Sequence, residues 1–395
     1  MLARALSLAV LLTGVLSGTA AAQDLITEKK TFELPSYTTT SGKTIKGVRI
    51  GWESYGQLNA DKSNAILVTH FFSGTSHAAG KYKADDKAAG YWDAIIGPGK
   101  AIDTNTYYVI SADTLVNLNF KDPTVVTTGP ASVDPDTGKP YGLSFPLVTI
   151  RDFVNVQKAL IESLGIKRLH AVMGASMGAL QAYEWASSYP EMVGKAIPVI
   201  GAGESDGYLV AWLDVWAAPI RLDPNWNNGD YYGRKEPLDG LAVALKTVTL
   251  HAQHWAWANR PALGRKWAAA DKDPAGCLVE CKYSIEAALD AAGKARAAIS
   301  DANHFLYLAK ANQLFVTGGT TVAEGLKKID APVLLITSDD DQVFHVDAVN
   351  QTSSLIKADG TPLQHVKIKG GRGHLDGVVA INQAGAAITA FLAQK

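Results

Sequence analysis

Gly174-Ala175-Ser176-Met177-Gly178 follows the apolar run Leu169-His170-Ala171-Val172-Met173 and precedes a helical pattern from Ala179 to Ser187. The five residues match G-x-S-x-G between a strand and a helix. A serine at so sharp a turn has strained backbone, and side chains at the flanking positions would clash, so glycines fill them. The turn exposes the hydroxyl. It also aims the next backbone amide, that of Met177, at a developing oxyanion, with the helix N-terminus adding partial positive charge. A glycine-rich turn that merely packs helix on strand is the plainer alternative, and the strand and helix on either side argue against it.

Working outward, short apolar runs alternate with helical stretches. Ile66-Leu67-Val68-Thr69, Tyr107-Tyr108-Val109-Ile110, Ala196 to Ile200, Val333-Leu334-Leu335-Ile336 and His365-Val366-Lys367-Ile368 read as strands, and Phe153 to Ser163 as a helix. Continuous apolar strands separated by helices imply an α/β fold with a mostly parallel central sheet, flanked by helices. Gly47 to Tyr55 alternates more and suits an antiparallel edge hairpin. The alternation stops between about 204 and 328, a stretch that is helical in pattern and holds Trp212, Trp216, Trp226, Trp255, Trp257 and Trp267 of the nine tryptophans. The expected organisation is a core of residues 23–203 and 329–395 with a helical lid, 204–328, although a helical subdomain with its own core would look the same.

A serine hydroxyl needs a base to take its proton. With G-x-S-x-G between strand and helix, the pattern is that of the α/β-hydrolase fold, where the partners follow in the order serine, acid, histidine. Of the late histidines, His365 opens a strand and should face the sheet edge, while His374 follows the last apolar run in a glycine-rich loop that can return over the serine. His345 is the remaining late candidate. His170 is expected to be packed core, and His251 and His254 fall in the lid. The acid should follow the strand Val333 to Ile336, where Asp339, Asp340 and Asp341 stand in a row. Asp341, entering the apolar Val343-Phe344, is preferred and Asp339 is the fallback. The second oxyanion amide is expected from the loop His70-Phe71-Phe72-Ser73-Gly74, at Phe72. The expected site is therefore Ser176, Asp341 and His374, with the amides of Phe72 and Met177 and no metal or other cofactor.

Composition bounds the rest. Apolar residues make up 47% and charged residues 19%, a balance that fits a globular chain. The formal net charge is -1, without a basic stripe, so no nucleic-acid partner is implied. Arg4, the apolar run from Ala5 to Leu16 and Ala20-Ala21-Ala22 have the three-part form of a secretory signal peptide, residues 1–22. The apolar run is short for a membrane span, which needs about 20 residues. A secreted or periplasmic protein with no stable membrane insertion is expected. Cys277 and Cys281 can then close one short-loop disulfide, or sit free on one helix face; the disulfide is preferred.

Several longer stretches resemble the homoserine O-acetyltransferase family. They are HFFSGTSHAAG (70–80), GYWDAIIGPGKAIDTNTYYVIS (90–111), TGPASVDPDTGKPYGLSFPLVTIRD (128–152), GASMGALQAYEWASSYPEMV (174–193) and DPNWNNGDYY (223–232). DQVFH (341–345) and GHLDG (373–377) resemble the family's acid and histidine loops and so support Asp341 and His374. The likeness also supports Phe72 as an oxyanion donor and implies a homodimer paired through the lid.

Departures from the family pattern bear on function. The family's lid arginine, in a segment like GLALAR, pairs with the homoserine carboxylate. Here the segment is Gly240-Leu241-Ala242-Val243-Ala244-Leu245, and Leu245 cannot form that ion pair. Leu250-His251 replaces a Tyr-Arg pair, and the loop Asp113 to Thr128 departs from a glycine-rich version. An exported enzyme would also not meet acetyl-CoA. The expected activity is therefore that of an exported serine hydrolase acting on an ester of a small or medium-sized organic molecule. The aromatic lid suggests an apolar or aromatic substrate. The alternative is an acyltransferase of the homoserine O-acetyltransferase type, with Arg260 or Arg265 as a substitute cation. A third reading, a non-catalytic binding protein that kept the fold, is opposed by the intact triad.

Overall fold

Eight strands form one sheet in the computed structural model of the protein, which describes residues 25–394. The expected signal peptide, residues 1–22, lies outside the described residues. Along the chain come β1 (Lys30–Thr38), β2 (Thr44–Tyr55), β3 (Ala65–Thr69), the short pair β4 (Ile96–Gly97) and β5 (Ile102–Asp103), β6 (Tyr108–Ala112), β7 (Ala171–Ala175), β8 (Ala196–Val199), β9 (Val333–Ser338) and β10 (Leu363–Ile368). The large sheet runs β1-β2-β6-β3-β7-β8-β9-β10. From β6 to β10 all neighbours are parallel, and β2 pairs antiparallel with both β1 and β6. This is the α/β-hydrolase architecture, and the expected antiparallel hairpin sits at its edge.

The central strands explain why the runs read as continuously apolar. Every residue of β3, β7, β8 and β9 is buried. Side chains alternate across the sheet, so Leu67 and Val172 enter one core while Ile66, Val68, Ala171 and Met173 enter the other. Burying each such aliphatic side chain stabilises the fold by about 1.5–3 kcal/mol.

α1 (Ile150–Ser163) starts at Thr149, whose hydroxyl accepts from the Asp152 amide while Asp152 returns to the Thr149 amide, a reciprocal cap. α2 (Met177–Ser188) begins at Met177, two residues before its expected start, and almost all of it is buried. Strand β7 starts at Ala171, so His170 lies outside it. His170 is half-buried, with Nε2 2.9 Å from the Leu392 carbonyl, and is not the packed core residue expected.

Between β8 and β9 come α3 (Gly207–Leu222), α4 (Leu238–His251), the short α5 (Trp255–Ala258), α6 (Ser284–Ile299), α7 (Ala302–Gln313) and the short α8 (Val322–Leu326). After β9 follow α9 (Val346–Ala358), α10 (Asp376–Val379) and α11 (Gly385–Leu392). In the inserted stretch α4 packs on α3 and α6, and α3 on α7. Residues 223–232 wrap the start of α7: Tyr231 and Tyr232 donate to the Asp301 carboxylate, and the Trp226 indole donates to Asn303. His304 then ties α7 to the core, with Nδ1 2.8 Å from the Asn117 carbonyl. Cys277 and Cys281 are joined as a disulfide.

The glycines flanking Ser176 let α2 approach β3. A Cβ on Gly178 would lie 2.2 Å from the Thr69 carbonyl oxygen, and one on Gly174 would lie 2.1 Å from Thr69 Oγ1. Neither neighbour can yield, because Thr69 Oγ1 itself donates to the Gly178 carbonyl at 2.8 Å. Gly178→Ala should therefore cost about 2–4 kcal/mol through overpacking, read as a lowered midpoint in chemical denaturation; an unchanged midpoint would mean that the contact relaxes freely.

Candidate active site

The sheet carries four loops to one end, at the carboxyl ends of its parallel strands, where open α/β sheets bind ligands. They follow β3, β7, β9 and β10 and hold Phe72, Ser176, Asp341 and His374.

Ser176 sits between β7 and α2 with φ 57° and ψ −120°, in a region that L residues avoid. Such a conformation costs about 1–3 kcal/mol and needs surrounding structure to hold it. Its amide donates to the Val199 carbonyl at 2.9 Å, which fixes the turn against β8. The hydroxyl points to the return loop, with Oγ 2.8 Å from His374 Nε2. His374 Nδ1 lies 2.8 Å from Asp341 Oδ2. With a carboxylate on that side, Nδ1 carries the proton, and the Nε2 lone pair accepts from the serine hydroxyl. The structure thus brings Ser176, His374 and Asp341 into one hydrogen-bonded chain, all buried.

Asp341 is selected over its neighbours by its backbone. Its Oδ1 accepts from the amides of Val343 (2.8 Å) and Phe344 (3.0 Å), leaving Oδ2 for the imidazole. The fallback Asp339 instead meets Lys367 at 2.9 Å on the exposed surface, and Asp340 lies 4.0 Å from His254. The other late histidines serve elsewhere. His365 meets Thr337 Oγ1 at 2.7 Å on the edge strand, and His345 meets Asp206 at 2.7 Å.

The amides of Phe72 and Met177 are used in no protein hydrogen bond among the described residues. His70, at the start of the Phe72 loop, aims one of them. Its Nε2 accepts from the Thr114 amide at 3.1 Å, so Nδ1 carries the proton and donates to the Phe71 carbonyl at 2.8 Å. Across a planar trans peptide the Phe72 N–H points opposite to that carbonyl. Complete burial lowers the His70 pKa and keeps the ring neutral, as this tautomer requires. Asn117 and Asn119, from the loop that departs from the family pattern, donate to the Gly74 and Ser73 carbonyls and hold the same turn.

Two further positioning groups, Asp376 within GHLDG and His251, gain their roles only from the fold. Asp376 is fully buried and accepts from the amides of Gly370 (2.8 Å) and Arg372 (3.0 Å), so it shapes the loop that presents His374. His251, at the end of α4, stacks on Trp212 with 4.1 Å between ring centroids and has Nε2 2.9 Å from the Gln342 carbonyl, beside Asp341. Burial pushes its pKa down to about 4, so the neutral ring ties the helical insertion to the acid loop.

A cavity of about 270 Å³ opens beside the serine, with Ser176, His374, Phe72 and Trp216 in its wall. The rest of the wall is mostly aliphatic, including Ile200, Val248, Val343 and Leu375. Of the six lid tryptophans only Trp216 lines it, and Trp255 and Trp267 are exposed. The other lid tryptophans lie in lid packing or at the surface, so the apolar character of the wall comes mainly from aliphatic side chains. Leu245 is fully buried, away from a ligand-pairing role. Arg260 and Arg265 are exposed and do not line the cavity; Arg265 packs over Tyr283 instead. The cation in the wall is Arg296, from α6, a residue that sequence alone did not single out. No acidic side chain is among the residues lining this cavity.

A hydrogen-bonded serine, histidine and carboxylate beside two free amides can transfer acyl groups. Comparison with known proteins agrees on the class. A family model for the alpha/beta hydrolase fold matches residues 128–377. A homoserine O-acetyltransferase of Methanococcus vannielii is 37% identical over 93% of this chain and 73% of its own length. The crystal structure of esterase E22 is 50% identical, with a TM-score of 0.89, over 93% of this chain and 100% of that one. The crystal structure of homoserine O-acetyltransferase from Bacillus anthracis is 36% identical, with a TM-score of 0.88, over 94% and 98%.

The geometry separates Asp341 from Asp339. Asp341→Asn should lower kcat by about 10³–10⁴-fold, because the amide favours the wrong imidazole tautomer. Asp339→Asn, which loses only an exposed ion pair, should stay within about twofold of the parent. Steady-state ester hydrolysis distinguishes them, and a reversed order would reassign the acid.

Proposed function

We propose that this chain, which belongs to the homoserine O-acetyltransferase family of the α/β-hydrolase superfamily, transfers the acyl group of a small or medium-sized ester to water through an acyl-enzyme on Ser176. Ser176 Oγ attacks the ester carbonyl while His374 Nε2 takes its proton. The amides of Met177 and Phe72 receive the oxyanion, and Asp341 steadies the imidazolium. His374 then protonates the departing alcohol, and the C–O bond breaks. Water, deprotonated by the same Nε2, attacks the acyl carbonyl and releases the acid. The reaction needs no metal or other cofactor.

The observation that carries water as acceptor is the lining of the cavity. Homoserine is a zwitterion, held most strongly by a carboxylate for its ammonium together with a cation for its carboxylate. The cavity beside Ser176 offers Arg296 but no carboxylate. The Asp341 carboxylate is spent on His374 and on two backbone amides. The 50% identity to a structure described as an esterase supports the same reading.

The second reading is acyl transfer to homoserine. The names of the curated relatives favour it, and so does Arg296, since a guanidinium in the wall can replace the cation missing at Leu245. The two readings share every step up to the acyl-enzyme and differ only in what removes the acyl group.

Export belongs to the proposal as well. The composition of residues 1–22 supports it, and so does the Cys277–Cys281 disulfide, a bond suited to an oxidising compartment. Mass spectrometry of the protein recovered from its native host should find a mature chain starting at Gln23; an intact N-terminus would argue for the cytoplasm.

Hydrolysis of p-nitrophenyl acetate, followed with and without homoserine, tests the acceptor. The expected result is turnover that Ser176→Ala loses and that homoserine leaves unchanged. Homoserine-dependent release with formation of O-acetylhomoserine would establish the transferase reading instead.

A further inference from the structure

Arg296 is a cation without an anion. It stands on α6 one helical turn after Ala292, and both residues line the cavity that holds Ser176. Its Nη1 donates to Thr249 Oγ1 at 2.7 Å and to the Leu245 carbonyl at 3.3 Å, both on α4. Thr249 is itself a neutral group whose hydroxyl donates to that same carbonyl at 2.7 Å. Among the described residues Arg296 forms no ion pair, and no protein acceptor meets Nε or Nη2. A guanidinium has five N–H donors in a planar fork, so most of its donor capacity is left for something else.

Nε and Nη2 are not among the buried polar atoms that lack a partner, so they stay open to a molecule that enters the cavity. Partial burial against apolar walls disfavours a charged group, and burial pushes the Arg296 pKa down to about 10. At neutral pH the side chain remains a cation. A residue that only tied α6 to α4 could do so with a neutral donor at less expense. Leu245 supplies its carbonyl to Arg296, while its own side chain packs in the core. The cation thus enters the cavity from α6, across from the α4 position that the family pattern uses.

We propose that the ester hydrolysed here carries a carboxylate or similar anion and no ammonium, and that Arg296 binds that anion. This rests on the ester-hydrolysis reading above. A planar carboxylate matches the guanidinium fork and takes two of its N–H bonds. An ammonium would meet apolar groups and a like charge, with no carboxylate in the wall to accept it.

Two substrate pairs place the anion on either side of the scissile bond. One pair is 4-acetoxybutanoate against its methyl ester; the other is mono-p-nitrophenyl succinate against p-nitrophenyl butyrate. The measured quantity is the ratio of kcat/KM within each pair, for the parent enzyme, Arg296→Gln and Arg296→Lys. Such a ratio does not depend on how much of a variant is folded. The parent should favour the anionic member of at least one pair by about tenfold or more, the scale of a hydrogen-bonded charge pair. Arg296→Gln should bring that ratio near one, and Arg296→Lys should retain part of it. A parent ratio near one in both pairs, or a preference that survives in Arg296→Gln, overturns the proposal. So does turnover of O-acetylhomoserine as fast as that of 4-acetoxybutanoate. Hydrolysis of neither member of either pair overturns the esterase reading itself, and the anion proposal with it.

Discussion

The contact between Gly178 and Thr69 sets the terms for the rest of the molecule. Helix α2 can rest on β3 at that distance only because position 178 has no side chain. The close approach brings the chain from β7 into α2 in a single residue, Ser176, at a backbone angle it would not otherwise keep. Three consequences follow from that one constraint. The hydroxyl projects from the end of the sheet, the Met177 amide meets no acceptor among the described residues, and the helix N-terminus points at the same spot. Strain of about 1–3 kcal/mol is tolerable there because tens of buried aliphatic side chains hold the sheet and helix in place.

Each of the other loops is held by a buried polar group whose hydrogen bonds close on the protein itself. His70 orients the Phe71–Phe72 peptide, Asp376 gathers the amides of the histidine loop, and Asp341 caps its own turn before it meets His374. Buried polar groups are expensive when unsatisfied and rigid when satisfied. Their use here gives a candidate active site preorganised by the core, with the helical insertion attached at defined points, through His251 to Gln342 and through His304 to Asn117.

The insertion is where the chain departs chemically from the transferases it resembles. At the α4 position where the family pattern expects a charged side chain stands Leu245, packed in the core, and a different helix brings a charge to the cavity wall at Arg296. The cavity keeps a positive site while the wall around it stays aliphatic. The hydrogen-bonded serine, histidine and carboxylate and the two amides are unaffected by that exchange. What the exchange alters is the chemistry of the space beside Ser176.

Much of this was legible in the chain. Ser176, Asp341 and His374 stand at the ends of strands whose apolar runs are local features, and a fold with that strand order forces those ends together. Local spacing even separated Asp341 from Asp339, because the apolar Val343-Phe344 turn that follows supplies the two capping amides. Other features had no local signature. His170 continues an apolar run and so resembles core in sequence, yet it falls just before the strand and meets the Leu392 carbonyl, 222 residues away. The lid tryptophans have no signature in sequence that separates packing from lining a cavity, and only the placement of α3 puts Trp216 at the cavity. Arg296 is one arginine among many until α6 lies across α4. Residue type and periodicity determine which side chains a strand or helix presents, whereas the crossing of distant helices decides what those side chains meet. For this protein the residues of the Ser176–His374–Asp341 chain could be read from the sequence, and the chemistry of the cavity beside them was decided by the tertiary structure.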